Sequence, residues 1–242
     1  MCKLGWLMKY IFHEEKQSGF FAQFGSFVHK ILELYLSNEL RKDELALYYI
    51  SNFDIEVTGK APSRKMRFDF YLQGLEYLSE IDFPHKEIVA VEKEVEYKIG
   101  SHDFVGYIDV VSNESTGLVI TDHKSRPLKP FSKKYPEKKT QADIELEAFL
   151  RQQYLYAWAI KQIYGTFPSH LEFNSFRERQ FITIPFEEKH MYDTLDWAER
   201  TRSDIAQNHI WTPTIEYWSC NHLCDVKKAC EFFHQCGGRA LG

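Results

Sequence analysis

Two apolar strands joined by a short polar turn stand in the middle of the chain: GYIDVVSNESTGLVITDHK, residues 106–124. Each half is rich in Val and Ile and the break between them is made of turn residues, which predicts a β-hairpin. The pair constrains the fold because it carries charges near its ends: Asp109 on one strand, Asp122 and Lys124 on the other. With SNESTG as the turn and Ser112 opposite Gly117, Asp109 lies opposite Ile120 and Tyr107 opposite Asp122. Side chains alternate faces with period two, so Asp109, Ile120, Asp122 and Lys124 share one face. The two carboxylates are then diagonal neighbours, within reach of one common ion. A one-residue change in the turn would separate them.

Two carboxylates converging at a strand end repel each other unless a cation sits between them. Hard oxygen ligands favour Mg²⁺ or Mn²⁺. An ammonium group two residues beyond, on the same face, can offset charge developing on a phosphoryl group. Such a set suits phosphodiester hydrolysis. Two exposed Asp and a Lys at a sheet edge is the competing reading of the same spacing.

Around this hairpin the periodicity alternates between helix and strand. Residues 1–12 predict a helix, with Leu4, Leu7, Met8 and Ile11 on one face. FGSFVHKILELYLSNEL, residues 24–40, predicts a stronger one, with Ser26 as its N-cap and His29 in its first turn. Helices are expected over 42–51 and 66–80, then strands over 88–99 and through the hairpin. A long helix over 142–163 precedes two more strands, SHLEFNSF and QFITIPF, and a final amphipathic helix leads into a Cys-rich tail. This order predicts an α/β domain with a central mixed β-sheet flanked by helices.

The chain has 242 residues, sufficient for one substantial core, and a formal net charge of −5. That balance does not by itself point to a nucleic acid, but positive charge is concentrated locally. KSRPLKPFSKKYPEKK, residues 124–139, holds seven Lys or Arg against one Glu, and KAPSRKMR, residues 60–67, holds four with no acid. No apolar run reaches membrane-span length, and MCKLGWLMKY lacks the features of a secretory signal, so a cytoplasmic location without membrane association is expected. Cys220, Cys224, Cys230 and Cys236 crowd the tail while Cys2 stands alone. In a cytosolic chain such a cluster points to metal rather than disulfides.

GYID, followed thirteen residues after its Asp by DHK, resembles the core signature of the PD-(D/E)XK nuclease superfamily, and most of all its RecB/Cas4 branch. GSFVHKILE resembles that branch's N-terminal His-bearing helix, and QQYLYA its Q-x-x-x-Y helix motif. Cys2 with the C-terminal cysteines resembles the iron–sulfur staple of Cas4 and AddB-like nucleases. The resemblance covers residues 1 to about 236. It implies a restriction-endonuclease-like core in which Asp109, Asp122 and the carbonyl of His123 hold a divalent ion, with His29 completing the site. It further implies that Lys124 activates or orients the attacking water, and that Gln152 and Tyr156 brace Lys124 or the DNA backbone. Glu92 matches a Glu often seen on the preceding strand and reads otherwise as a solvated strand residue.

The family's cysteines are usually separated by two and then five residues; here three separate Cys220 from Cys224 and five separate Cys224 from Cys230. The resemblance implies Cys2, Cys220, Cys224 and Cys230 as ligands of a [4Fe–4S] cluster, with Cys2, Cys224, Cys230 and Cys236 as the rival set. Four thiolates also hold Zn²⁺, and spacing does not separate the two. The expectation is one domain over 1–242, with 1–12 and 216–236 joined by this clip. Its activity would be Mg²⁺- or Mn²⁺-dependent exonucleolytic hydrolysis of DNA ends or single strands. Its partners would be DNA and proteins of recombination, CRISPR adaptation or phage systems. The alternative is a non-catalytic DNA-binding or assembly subunit with the same fold.

Overall fold

The computed structural model describes residues 2–81, 83, 86–132 and 139–237. Residues 133–138, most of the C-terminal half of the basic run, lie outside the described residues. Five strands form one mixed sheet in the order β1-β2-β3-β4-β5. β1 (Glu87–Ile99), β2 (His102–Glu114) and β3 (Gly117–Lys124) are an antiparallel meander. β4 (His170–Ser175) runs parallel to β3, and β5 (Gln180–Pro185) antiparallel to β4. A parallel step needs a crossover connection, and the helix α5 (Gln141–Tyr164) supplies it.

α5 starts and stops where local chemistry requires. Thr140 Oγ1 accepts from Asp143 N while Asp143 Oδ2 accepts from Thr140 N, a reciprocal cap at 3.2 and 2.7 Å. Gly165 ends the helix in the left-handed region, at φ +76°. With α6 (Glu188–Gln207), α5 buries Leu146, Leu150, Tyr154 and Ala157 in a core shared with Val95, Val111, Ile120 and Phe173 of the sheet. A second core joins α2 (Phe20–Leu36), α3 (Leu45–Glu56) and α4 (Arg64–Glu80) through Phe24, Val28, Ile31, Tyr49, Phe70 and Phe176.

Two details differ from the sequence expectation, and both move the site. α2 begins at Phe20 with Gly19 as its cap, six residues before the expected Ser26. The apolar stripe simply extends: Phe20 and Phe24 pack their rings 5.4 and 5.0 Å from Phe70, so burial outweighs the capping preference of an exposed Ser. His29 therefore sits mid-helix rather than in the first turn. The β2–β3 turn is also tighter than expected. Glu114 pairs with Gly117 and Val111 with Ile120, which leaves Ser115 and Thr116 as a two-residue turn. The pairing runs to Val110–Thr121, so the next position sets Asp109 directly opposite Asp122. The register has slipped by two residues, an even number, so the shared face survives.

Two glycines let helices approach these strand ends. A Cβ on Gly25 would come within 3.2 Å of Ser125 Oγ, which shows how closely α2 lies against the segment after Lys124. A Cβ on Gly106 would come within 2.5 Å of Tyr156 Cε1, so the glycine of GYID is the gap into which the α5 tyrosine ring fits. Gly106→Ala is expected to cost about 1–3 kcal/mol by overpacking. In a Tyr156→Ala background that cost should vanish. Chemical denaturation of the four proteins checks this; an equal cost in both backgrounds would contradict it.

Candidate active site

The site forms where α2 meets the middle of β1 and β2 and the end of β3. Asp109 of β2 is fixed by the backbone: its Oδ2 accepts from the N–H of His123 at 2.6 Å. The same oxygen lies 3.6 Å from Nδ1 of His29, delivered by α2. Glu92 of β1 completes the convergence, and the ligand atoms of His29, Glu92 and Asp109 all lie within 4.8 Å of one another. Glu92 reaches inward through an irregular backbone. It adopts φ +45° in mid-strand and is skipped between the pairs Val91–Val110 and Lys93–Ile108. A left-handed non-glycine residue costs on the order of 1–3 kcal/mol, and such strain concentrates at functional sites. The reading of Glu92 as a solvated strand residue is thus replaced: its side chain lines the cleft.

Asp122 is buried beside this trio. Its Oδ2 lies 2.6 Å from Lys124 Nζ, an ion-pair distance. The Lys124 ammonium is thus the partner of this buried oxygen. Lys124 is held in turn by α5, its Nζ lying 4.9 Å over the ring of Phe149. Phe149 was not singled out from the sequence. Its spacing from Gln152 and Tyr156, three and seven residues, would have placed it on their helix face. Gln152 Nε2 donates to Tyr156 Oη at 2.9 Å. These two residues thus brace each other at the gap made by Gly106, while Phe149 meets the ammonium.

His123 is buried, and its side chain turns to other partners. Asn174 Nδ2 lies 3.1 Å from its Nδ1 and donates to Tyr77 Oη at 2.6 Å. The ring thereby links β3 to β4 and α4, and it meets the ring of His29 edge-on at 5.4 Å. A cleft of about 630 Å³ opens over the site, lined among others by Phe21, His29, Lys30, Glu92, Lys124 and Arg126.

The electrostatics follow from burial. Burial raises Asp109 and Asp122, the latter to about 6, against the opposing pull of Lys124. Glu92 is pushed up to about 7, first by burial and then by Asp109. His29 is lowered by burial, which keeps its imidazole neutral and able to ligate. Three carboxylates thus face one ammonium, a formal excess of two negative charges once all are ionised. Three carboxylates short of positive charge and a neutral imidazole form a donor set that fits a hard divalent cation.

The five cysteines lie away from this cleft and line one void of about 440 Å³. α1 (Lys3–Tyr10) is tied to the tail by Lys9–Asp225 at 2.7 Å and by Trp6 stacked on Trp211 at 5.4 Å. Cys2 Sγ accepts from the N–H groups of Gly5 and Thr214 at 3.4 and 3.3 Å. Cys220 is joined to Cys236 as a disulfide, whereas Cys2, Cys224 and Cys230 are free. The expected ligand Cys220 and its rival Cys236 are therefore bonded to each other.

Raised carboxylate pKa values carry a sign. Glu92 and Asp122 bind protons more tightly in the folded chain than in the unfolded one, so their contribution is complete below about pH 4 and is lost as pH rises toward 6–7. The metal-free thermal midpoint should therefore contain a component that falls across this window. Glu92→Gln and Asp122→Asn should each flatten it, and Mn²⁺ should raise the midpoint at the upper end. Scanning calorimetry against pH checks this; a wild-type slope retained in both variants would contradict it.

Comparison with known proteins follows the same lines. A search of curated proteins returns no match. A crystal structure from Eubacterium rectale, described as a "Putative exonuclease", shares the fold at a TM-score of 0.52 and 12% identity. That alignment covers 85% of this chain and 73% of that one. Residues 1–231 match the family model of the PD-(D/E)XK nuclease superfamily, with the carboxylates and lysine of the β2–β3 pair inside the match, and the chain belongs to that superfamily.

Proposed function

We propose that this protein is a divalent-metal-dependent deoxyribonuclease that hydrolyses phosphodiester bonds at DNA ends or in single strands. One observation carries the reading: His29, Glu92 and Asp109 converge within 4.8 Å beside the buried Asp122–Lys124 pair, on the wall of an open cleft. His29, Asp109, Asp122 and the carbonyl of His123 would hold Mg²⁺ or Mn²⁺, with Glu92 as a further carboxylate. Bound there, the ion supplies Lewis acidity and lowers the pKa of water.

The chain's own residues do the remainder. Asp109 is preorganised by the His123 N–H and need not reorganise during reaction. Lys124, held between Asp122 and the Phe149 ring, presents an ammonium that offsets charge developing on the phosphoryl oxygens and orients the attacking water. Gln152 and Tyr156, locked to each other, brace the α5 wall against which Lys124 is held. Burial raises the Tyr156 hydroxyl, which accepts from Gln152 as a neutral group at neutral pH. Lys30 and Arg126 at the cleft, and the basic run 124–139, are suited to contact phosphates.

The chain would work as one domain in the cytoplasm, its ends clipped through the cysteines. We assign Cys2, Cys220, Cys224 and Cys230 to a [4Fe–4S] cluster, with Cys236 as the alternative to Cys220; ligation by either requires the Cys220–Cys236 bond to be reduced to thiolates by a thiol reductant. The pairing of Cys220 with Cys236 puts both alternatives at one corner of the void. Backbone N–H donors aimed at Cys2 Sγ suit a thiolate ligand.

Anaerobically purified protein tests both parts on end-labelled single-stranded DNA in Mn²⁺, with iron measured on the same preparations. Asp109→Asn, Asp122→Asn and Lys124→Ala should each lower turnover by about 10²–10⁴-fold while iron content is unchanged. Cys224→Ala should lose iron and solubility together. Full cleavage by all three active-site variants would end the nuclease assignment, and zinc in place of iron would end the cluster assignment.

A further inference from the structure

The cleft does not stop at His29. Phe21, Gly25 and His29 are spaced four apart on α2 and all line it, so Phe21 is the far end of the stripe that carries the histidine. Beyond Phe21 the wall continues into the Cys-rich tail. The ring of Trp218 lies 6.1 Å from that of Phe21. Trp218 also lies 4.6 Å from His222, which meets Tyr217 edge-on at 6.2 Å. The row is open to solvent: Trp218 is 41% exposed and Tyr217 60%.

This row is built rather than incidental. The turn Ser219–Leu223 packs on the start of α2 so closely that a Cβ on Gly19 would sit 3.3 Å from the His222 carbonyl oxygen. Glu216 caps the turn, its carboxylate oxygens accepting from the N–H groups of Trp218 and Ser219 at 2.9 and 2.6 Å. The backbone that carries the indole is thus fixed, and the ring rests against Phe21 and His222 without being buried. Exposed aromatic rings leading to a groove with Lys30, Lys124 and Arg126 on its walls, ion-paired to Glu33, Asp122 and Glu145, combine the two elements of single-strand recognition. Unpaired bases stack on the rings and phosphates follow the cations.

We propose that Tyr217, Trp218 and Phe21 form a stacking ledge for unpaired bases and lead a single strand of nucleic acid into the cleft. The inference deepens the phosphodiesterase reading and rests on it for the direction of travel. It also names the discriminating feature: a duplex hides the base faces that the ledge needs, so single strands are preferred. Glu216 acts as a positioning residue, through Trp218.

The experiment is anisotropy binding in EDTA, where no turnover occurs, with a fluorescein-labelled oligothymidylate of about 16 nucleotides. An abasic oligomer and a duplex of equal length are compared with it. Trp218→Ala should weaken oligothymidylate binding about 5- to 150-fold, the range for loss of one stacked base. Trp218→Phe should recover most of it. Wild-type protein should bind the abasic oligomer and the duplex weakly, and Trp218→Ala should leave those affinities unchanged. Oligothymidylate bound equally by wild type and Trp218→Ala would overturn the ledge, as would abasic and normal oligomers bound equally by wild type. The second comparison needs no variant to fold. If Asp122→Asn cleaves at the wild-type rate while binding still depends on Trp218, the hydrolytic reading falls and the ledge stands. Cleavage that depends on Asp122, with binding indifferent to Trp218, removes the ledge alone.

Discussion

Two carboxylates buried side by side at the end of paired strands are the constraint on which the rest of the site is built. Asp109 and Asp122 face each other across β2 and β3, and neither can ionise there without positive compensation. The chain supplies part of it: the His123 N–H to Asp109 and the Lys124 ammonium to Asp122. Adding Glu92 leaves a formal excess of two negative charges, which a divalent cation would neutralise. The surrounding helices are positioned by the same requirement. Gly25 admits α2 and so His29, and Gly106 admits Tyr156 on α5, two turns along the same helix face from the ring that holds Lys124. Both approaches depend on the absence of a side chain at one position.

Much of this was legible in the sequence because it depends on local periodicity. The period-two run that predicts β2 and β3 also assigns Asp109 and Asp122 to one face, and the actual register keeps them there because the slip was even. The extent of α5 follows from the period over 142–163, and Thr140, Asp143 and Gly165 fix its ends in the structure. What could not be read depends on contacts between distant segments. The start of α2 is set by Phe70 of α4, which overrides the local preference for a cap at Ser26. The inward turn of Glu92 needs a left-handed residue in a strand, which no propensity predicts for Glu. Phe149 was visible as an aromatic on a helix, but its place under Lys124 required the parallel crossover to be known.

The cysteine tail shows the same division between local and distant information. Spacing could not choose between Cys220 and Cys236, and in three dimensions the two meet. Nor could it show that the tail touches the active-site helix, since the contact runs through Trp218 and Phe21, nearly 200 residues apart in sequence. The tail that packs on the first helix thereby also meets the wall of the cleft. On this account, losing the cysteine site would unsettle substrate binding as well as stability, although it lies away from the reacting bond.

The central claim is that the excess negative charge at the β2–β3 end is matched by a divalent ion. Calorimetric titration of metal-free protein with Mn²⁺ at neutral pH addresses it most directly. The account predicts saturable binding that is lost, or weakened by at least about tenfold, in Asp109→Asn and in Asp122→Asn. It further predicts proton release on binding, because Glu92 with a pKa of about 7 is only partly ionised beforehand. Mn²⁺ binding that is absent in the wild type, or equally tight in both variants, would contradict it.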